Sequence, residues 1–184
     1  MQDEKLVIAA KGGDKKAFEM LIDKYHNDLY YAALAIIRSG WDAMDICQDT
    51  FMKAFTSIHL LKDASSFKSW INKILVNKSL DYFRKNKKTI SVSEIETNVF
   101  YEESNEEAME LMQAINKLKF DSRTILTLRY LEDMTIKDIA KVIGCPEGTV
   151  KSRLNTALKE IRVIMGANAQ KEGKNEVHTS TAND

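Results

Sequence analysis

The stretch from Glu147 to Lys159 gathers side chains suited to holding a nucleic acid. Arg153 and Asn155 have the donors and acceptors to read base edges, while Lys151, Ser152 and Lys159 suit phosphates. Glu147, Thr149 and Thr156 complete the polar set. Between them Val150, Leu154, Ala157, Leu158 and Ile161 recur at helical spacing, so a helix here buries those five and turns the polar residues outward. The segment before it, Thr135 to Gly144, reads as a short amphipathic helix with Ile136, Ile139, Ala140 and Ile143 as its buried stripe. Thr135 and Asp138 are spaced as a capping box, with Asp in the usual Glu place. Gly144 admits the positive φ of a tight helix exit, and Pro146 suits the first position of a new helix. Two helices so joined, the second polar and basic near its start, describe a helix-turn-helix whose second helix fits the major groove. A plain helical hairpin with a solvated basic face shares the periodicity. The Gly turn and the Pro start together favour DNA.

Two further constellations lie in the first half. Stepping by four, three and four from Asn77 gives Asp81, Arg84 and Lys88 on one helix face, which Lys73 and Trp70 continue backward. A polar-basic helix with Phe67, Trp70, Tyr82 and Phe83 beside it suits a nucleic-acid backbone with unstacked bases. Those aromatics serve a core equally well. The helix that starts near Trp41 carries Asp42, Asp45 and Asp49 three and four residues apart. Helix-dipole compensation accounts for Asp42 and Asp45 but poorly for Asp49. Without His, Cys or a further acid on that face the three make a weak metal site, so a basic protein partner fits better, and no cofactor is expected.

The elements that must position these groups are helical. Gly and Pro number 7 and 1 in 184 residues, which argues for long helices and against a many-stranded sandwich or barrel. Helices are expected over about 3–10, 14–38, 42–58 and 66–87, with Ile46, Phe51, Ala54, Phe55 and Ile58 of the third facing the core. Four more are expected over about 106–118, 121–132, 135–143 and 146–165. Residues 89–105 lose the periodicity and read as a linker. The resulting expectation is an all-α chain: a first domain over 1–88, the linker, a helix-turn-helix domain over 106–166 and a disordered tail over 167–184. No internal repeat is evident.

The formal charge is zero, yet it is segregated: net +6 over 67–88, −7 over 89–113 and +4 over 114–166. A balanced total therefore leaves room for a polyanionic partner. Cys47 and Cys145 match no metal spacing, and two cysteines suit a reducing cytoplasm better than a disulfide framework. The charged first 30 residues are unlike a signal peptide, and the longest apolar run, Leu29 to Ile37, is too short to span a bilayer. The acceptor spacing Asn77-Lys78-Ser79 is then a chance match. His26, His59 and His178 are scattered and no nucleophile or phosphate-loop pattern occurs, so an enzyme is not expected.

These features, in this order, resemble the sigma factors of bacterial RNA polymerase, specifically the small extracytoplasmic-function (ECF) group. Asp-Ala-Met-Asp-Ile-Cys-Gln-Asp-Thr-Phe (42–51) is similar to the family's polymerase-binding helix. Phe67-Lys68-Ser69-Trp70 with Asn77, Asp81 and Arg84 is similar to its segment for the −10 promoter element. Leu128-Arg129-Tyr130, then Thr135 to Arg162 with Gly148-Thr149-Val150-Lys151-Ser152-Arg153-Leu154, is similar to its −35 module. The resemblance covers about residues 5–165. It implies that Asp42, Asp45, Gln48 and Asp49 dock on the clamp helices of the large polymerase subunit. It implies that the loop Leu61-Lys62-Asp63-Ala64-Ser65 and the helix bearing Trp70, Lys73, Asn77, Asp81, Arg84 and Lys88 capture an extruded base of the single strand at −10. It also implies that Glu147, Thr149, Lys151, Ser152, Arg153, Asn155, Thr156 and Lys159 hold the −35 duplex, with the polymerase flap nearby, and that an anti-sigma factor regulates the chain.

Holding the single-stranded form shifts the melting equilibrium without an ATP site, because a shaped pocket offsets the few kcal/mol of unstacking. Four positions depart from the family pattern. Met44 stands where Glu is usual, Lys73 where Arg is usual, Phe120 near a usual Pro, and Thr156 in place of a usual Arg. Leu61 gives the capture loop no aromatic, so capture there would rest on shape and hydrogen bonds. The acidic stretch, including Glu102, Glu103, Glu106 and Glu107, would thread toward basic channels of the polymerase. The chief rival is a conventional regulator that senses a ligand or dimerises through its first half. It predicts tight operator binding by the chain alone.

Overall fold

The computed structural model describes residues 2–86, 111 and 114–179, and every described element is helical. Helix α1 spans Gln2–Lys11 and α2 spans Lys15–Ile37. Asp14 starts α2 by accepting a hydrogen bond from the Ala17 N–H at 3.2 Å. Arg38 ends it in the left-handed region, φ 67°. Ser39 then begins α3 (Gly40–Ser57), accepting from the Asp42 N–H at 3.4 Å. The break between the helices expected over 14–38 and 42–58 is therefore one residue of reversed twist followed at once by a new cap. Two 3-10 turns, Ile58–Leu60 and Ala64–Ser66, lead into α4 (Phe67–Asn86). Leu21, Leu29, Ile36, Ile71 and Leu75 are fully buried between these helices, each worth about 1.5–3 kcal/mol relative to exposure. Phe55 does not join them as expected: it is 48% exposed and only edges Phe18. Ala43, Cys47 and Thr50 fill the inner face of α3 instead.

In the second half, Leu111 and residues 114–117 are helical among the described residues, the latter labelled α5, followed by α6 (Phe120–Leu126). The helix expected over 121–132 does not stay α-helical. Thr127–Leu131 widen into a π-turn, which ends where the Glu132 N–H reaches the Thr127 carbonyl. Helix α7 (Ile136–Ile143) and helix α8 (Glu147–Thr179) complete the chain. The start of the helix expected at 106 and the linker over 89–105 lie outside the described residues. Helix α8 passes through Gly166 and continues to Thr179, where a disordered tail is expected. Ala, Gln, Lys and Glu between 167 and 176 are good helix formers, and they outweigh Gly173 in that stretch.

The two halves share one apolar core. Helix α7 lies on α4, and α6 lies against α2. Phe83 stacks on Phe120 with ring centroids 4.8 Å apart. Arg123, buried, donates to the Ile36 carbonyl through Nε at 3.1 Å and Nη2 at 2.8 Å, and to the Leu118 carbonyl at 2.5 Å. It thereby satisfies the open C-terminal end of α2 from the other half of the chain. Arg38 reciprocates, donating to the Asn116 carbonyl at 2.5 Å. Burial and the nearby Arg38 charge push the Arg123 guanidinium down to about 10.

Candidate polymerase- and promoter-binding faces

Three carboxylates decorate α3, but their surroundings differ. Asp49 is paired with Lys78 of α4 at 2.8 Å. Asp42 accepts from the Tyr82 hydroxyl, which, with burial as the larger cause, pushes the phenol up to about 12. Both acids are thus fastened to α4. Asp45 and Gln48 point away from the core, and among the described residues Asp45 pairs with no cation. Trp41 (86% exposed), Met44 and Met52 open onto the same outer side of α3. Sequence reasoning dwelt on the acids and missed this apolar company. The signal was present: with Ala43, Ile46, Cys47, Thr50 and Ala54 inward, helical phase sends Trp41, Met44 and Met52 outward.

On α4, Lys73, Asn77, Asp81 and Arg84 are all exposed on one face, as expected. Asp81 lies 3.8 Å from Arg84, an exposed pair that contributes little to stability. The face is available to a ligand because Ile71, Leu75 and Val76 take the buried side of the helix. Trp70 is half-buried and tilted on Phe67, which is itself core. Of the four aromatics, Phe67 and Phe83 are therefore packing groups, and Trp70 alone borders the polar face. Lys88 lies outside the described residues.

The capture loop is only partly as expected. Leu61 is 6% exposed and belongs to the core, so it is not available to a base. An apolar residue at the end of a 3-10 turn gains more by filling that core than by facing water. Lys62 and Ser65 are exposed and Ala64 is half-buried. Asp63 organises the loop, accepting from the Ser65 N–H at 3.0 Å, the Ser65 hydroxyl at 2.7 Å and the Ser66 hydroxyl at 3.0 Å. Those bonds, the Ser65 hydroxyl first, hold its carboxyl below the usual range.

In the second half, α7 and α8 are joined by Gly144-Cys145-Pro146, with Gly144 at φ 75°. The cap differs in detail from a capping box. The Thr135 oxygen accepts from the Asp138 N–H at 3.2 Å, and the Thr135 hydroxyl donates to Asp138 Oδ2 at 2.7 Å. Asp is one methylene shorter than Glu and settles on the hydroxyl. That bond, ahead of the one from Lys141, lowers the Asp138 carboxyl below its ordinary value. On α8, Val150, Ala157 and Ile161 are buried. Glu147, Lys151, Ser152, Arg153, Asn155, Thr156 and Lys159 are exposed, with Thr149 half-buried at the start. Arg153 hovers 3.9 Å from Asp121, too loosely to be fixed. This is the geometry of a recognition helix held on two supporting helices.

Sigma-70 region 2 matches residues 21–89, and Sigma-70, region 4 matches residues 108–161. RNA polymerase sigma factor SigV of Bacillus subtilis is 35% identical over 145 residues, covering 77% of this chain and 87% of the relative. The ECF RNA polymerase sigma-E factor of Haemophilus influenzae is 32% identical over 178 residues, covering 88% and 94%. The chain belongs to the ECF sigma factors. It therefore directs promoter-specific initiation by RNA polymerase, binding the core enzyme and promoter DNA, and the helix-turn-helix takes its place in that activity. The fold of this sigma factor is also that of RpoE of Bartonella quintana, solved in complex with the anti-sigma factor NepR, with a TM-score of 0.72, 24% identity, and 82% of this chain and 98% of that one covered. No described helix of the sigma factor is long and apolar enough to cross a membrane.

Proposed function

We propose that the sigma factor divides its task among three exposed faces carried on one helical scaffold. The outer side of α3, with Asp45 and Gln48 flanked by Trp41 and Met44, docks on the polymerase clamp helices, while Asp42 and Asp49 hold that side in register with α4. Lys73, Asn77, Asp81 and Arg84, with Trp70 at their edge and Lys62 to Ser65 at their end, receive the unpaired strand at −10. Glu147, Thr149, Lys151, Ser152, Arg153, Asn155, Thr156 and Lys159 take the −35 duplex.

The observation that carries this reading is the phase of α4. Its buried side and its Lys78 and Tyr82 contacts all lie away from the Asn77 row, so the row is free for DNA while α3 is free for protein. No catalytic step is required, since preferential binding of the melted strand moves the equilibrium. The domain limits 1–88, 89–105 and 106–166 follow the same division. Action on polymerase places the protein in the cytoplasm, and an anti-sigma factor is its expected regulator, as the Bartonella protein's complex with NepR supports.

The test is run-off transcription from a genomic promoter library with purified core polymerase. Defined starts that need this chain support the reading. Tight duplex binding by the chain alone with no new starts would replace it with the conventional-regulator reading.

A further inference from the structure

Among the described residues, the hydrogen bonds of the base-capture loop close on the loop itself. The Leu61 N–H reaches the Ile58 carbonyl at 3.0 Å, and the Ser66 N–H reaches the Asp63 carbonyl at 3.1 Å. The Asp63 carboxylate takes both serine hydroxyls. The height of the loop over α4 is therefore set by what it packs on. Leu61 enters the core, and beyond their chain neighbours α3 and α4 both 3-10 turns of this stretch lie against α1.

Helix α1 has 10 residues, too few to stand as a helix in water by itself. Val7 and Ala10 anchor it in the core, and each end is fastened. At its end the Gly12 N–H meets the Ile8 carbonyl and the Asp14 N–H meets the Ala9 carbonyl, both at 3.1 Å. At its start the Asp3 carboxylate accepts from Lys24 Nζ at 2.5 Å and from the Tyr25 hydroxyl at 3.0 Å. The Lys24 side chain is half exposed, so that ion pair contributes little. Tyr25 is buried, and burial, ahead of the Asp3 bond, raises its phenol above the ordinary value.

The Tyr25 side chain faces two ways. Its hydroxyl holds α1, and its ring meets Phe67, the first residue of α4, edge-on with centroids 5.3 Å apart. Phe67 in turn is tilted against Trp70 at 5.9 Å. One side chain of α2 thus joins the helix that backs the loop to the start of the helix that bears the Asn77 row. Neither α1 nor Tyr25 figures among the residues expected at −10. We propose that Tyr25 and Asp3 are positioning residues for base capture: their bond seats α1, and α1 sets the capture loop over the start of α4. Neither residue touches DNA. The inference rests on the assignment of the loop and α4 to −10. A pocket that selects one base needs its walls placed within about 0.5 Å, so a hydrogen bond remote from the base becomes part of the selectivity.

The experiment measures holoenzyme binding to fork-junction DNA from a promoter found by the run-off library. The captured base is present, replaced by each of the others, or removed as an abasic site. Tyr25→Phe deletes the hydroxyl and keeps the ring on Phe67, whereas Asp3→Ala deletes the acceptor. Each should lower the preference for the correct base about fivefold, the worth of one hydrogen bond. Affinity for the abasic fork and for core polymerase should stay at wild-type values. Asp3→Asn, which still offers Tyr25 an oxygen, should keep most of the preference. The double variant Tyr25→Phe with Asp3→Ala should lose no more than either single one, because both break the same bond. A purely structural role would lower the thermal midpoint and weaken every fork alike. Unchanged preference in both single variants, equal losses on all forks, or additive losses in the double variant overturns the positioning role. If Asp3→Ala loses helix content by circular dichroism, Tyr25→Phe, which leaves the Asp3–Lys24 pair in place, decides alone. Asn77→Ala tests the α4 assignment separately. If it keeps the preference, that assignment fails; a defective Asn77→Ala beside an unaffected Tyr25→Phe sinks the positioning role only.

Discussion

Asp49 of α3 and Lys78 of α4 form an ion pair at 2.8 Å across two helices whose apolar sides already share a core. The pair matches the charge of one of the three α3 carboxylates with a lysine of α4. Together with the Asp42–Tyr82 bond, it leaves Asp45 as the acid of α3 that faces outward unpaired among the described residues.

Asp45→Arg is accordingly expected to abolish co-purification with core polymerase while circular dichroism and thermal midpoint stay at wild-type values. Asp49→Ala should weaken binding far less, since its charge is already matched. Trp41→Ala should cost about 2 kcal/mol or more in core affinity if the exposed indole is an anchor, the usual role of tryptophan at interface centres. Titration of labelled protein against core enzyme separates the three. Equal losses for Asp45 and Asp49 variants would refute the division.

Arg153 gives the second prediction. Its exposed contact with Asp121 at 3.9 Å costs little to break, so little holds the guanidinium back from a base edge. Arg153→Ala should lose roughly 1–3 kcal/mol against the preferred −35 sequence and much less against a scrambled one if it reads a base. Band-shift affinities of the holoenzyme on both duplexes decide it. Uniform loss would make Arg153 a phosphate contact.

Cysteine chemistry supplies a third. Cys47 is buried on the inner side of α3, and that burial pushes its thiol up to about 11, whereas Cys145 in the α7–α8 turn is half-exposed. At pH 8 Cys47 is both protonated and shielded. Brief iodoacetamide treatment of the native protein should alkylate Cys145 and spare Cys47, as read by peptide mass spectrometry, with both modified in denaturant. Labelling of Cys47 in the native protein would contradict its place in the core.

How far the sequence reaches is clear from particular residues. The helix-turn-helix was legible because its signals are local: Thr135, Gly144 and Pro146 mark its turns, and the period of Val150, Ala157 and Ile161 fixes its inner side. The exposed row on α4 was legible for the same reason. The burial of Leu61 was not legible, because it depends on the Ile58–Leu60 turn packing against α1 and α3, which spacing does not report. The packing of α7 on α4 and of α6 against α2 was invisible. Nothing near Glu132 marks it as buried, and its partners Lys68 and Asn72 lie about 60 positions earlier in the chain. Arg123 gave no signal either, since its acceptor is the main chain of a helix in the other half.

The last prediction concerns the α7 cap, where sequence and structure agree on the residues but not on the bonds. Asp138 accepts the Thr135 hydroxyl and Lys141 ammonium, and its folded carboxyl is lowered relative to the unfolded one. A lowered acid stabilises the fold above its unfolded value, near 3.9, and that contribution disappears as pH falls through the folded value. Thr135→Ala removes the oxygen that holds the Asp138 N–H and should cost about 1 kcal/mol at pH 7. Asp138→Asn keeps the N–H bond and loses the charge, so it should cost less than Thr135→Ala at pH 7, and its penalty should shrink as acid protonates the wild-type carboxyl. Urea titrations of the full chain at pH 7 and pH 3 measure both. If the penalty of Asp138→Asn stayed the same at the two values, the charge would play no part in the cap and the α7 start would rest on the Thr135 oxygen alone.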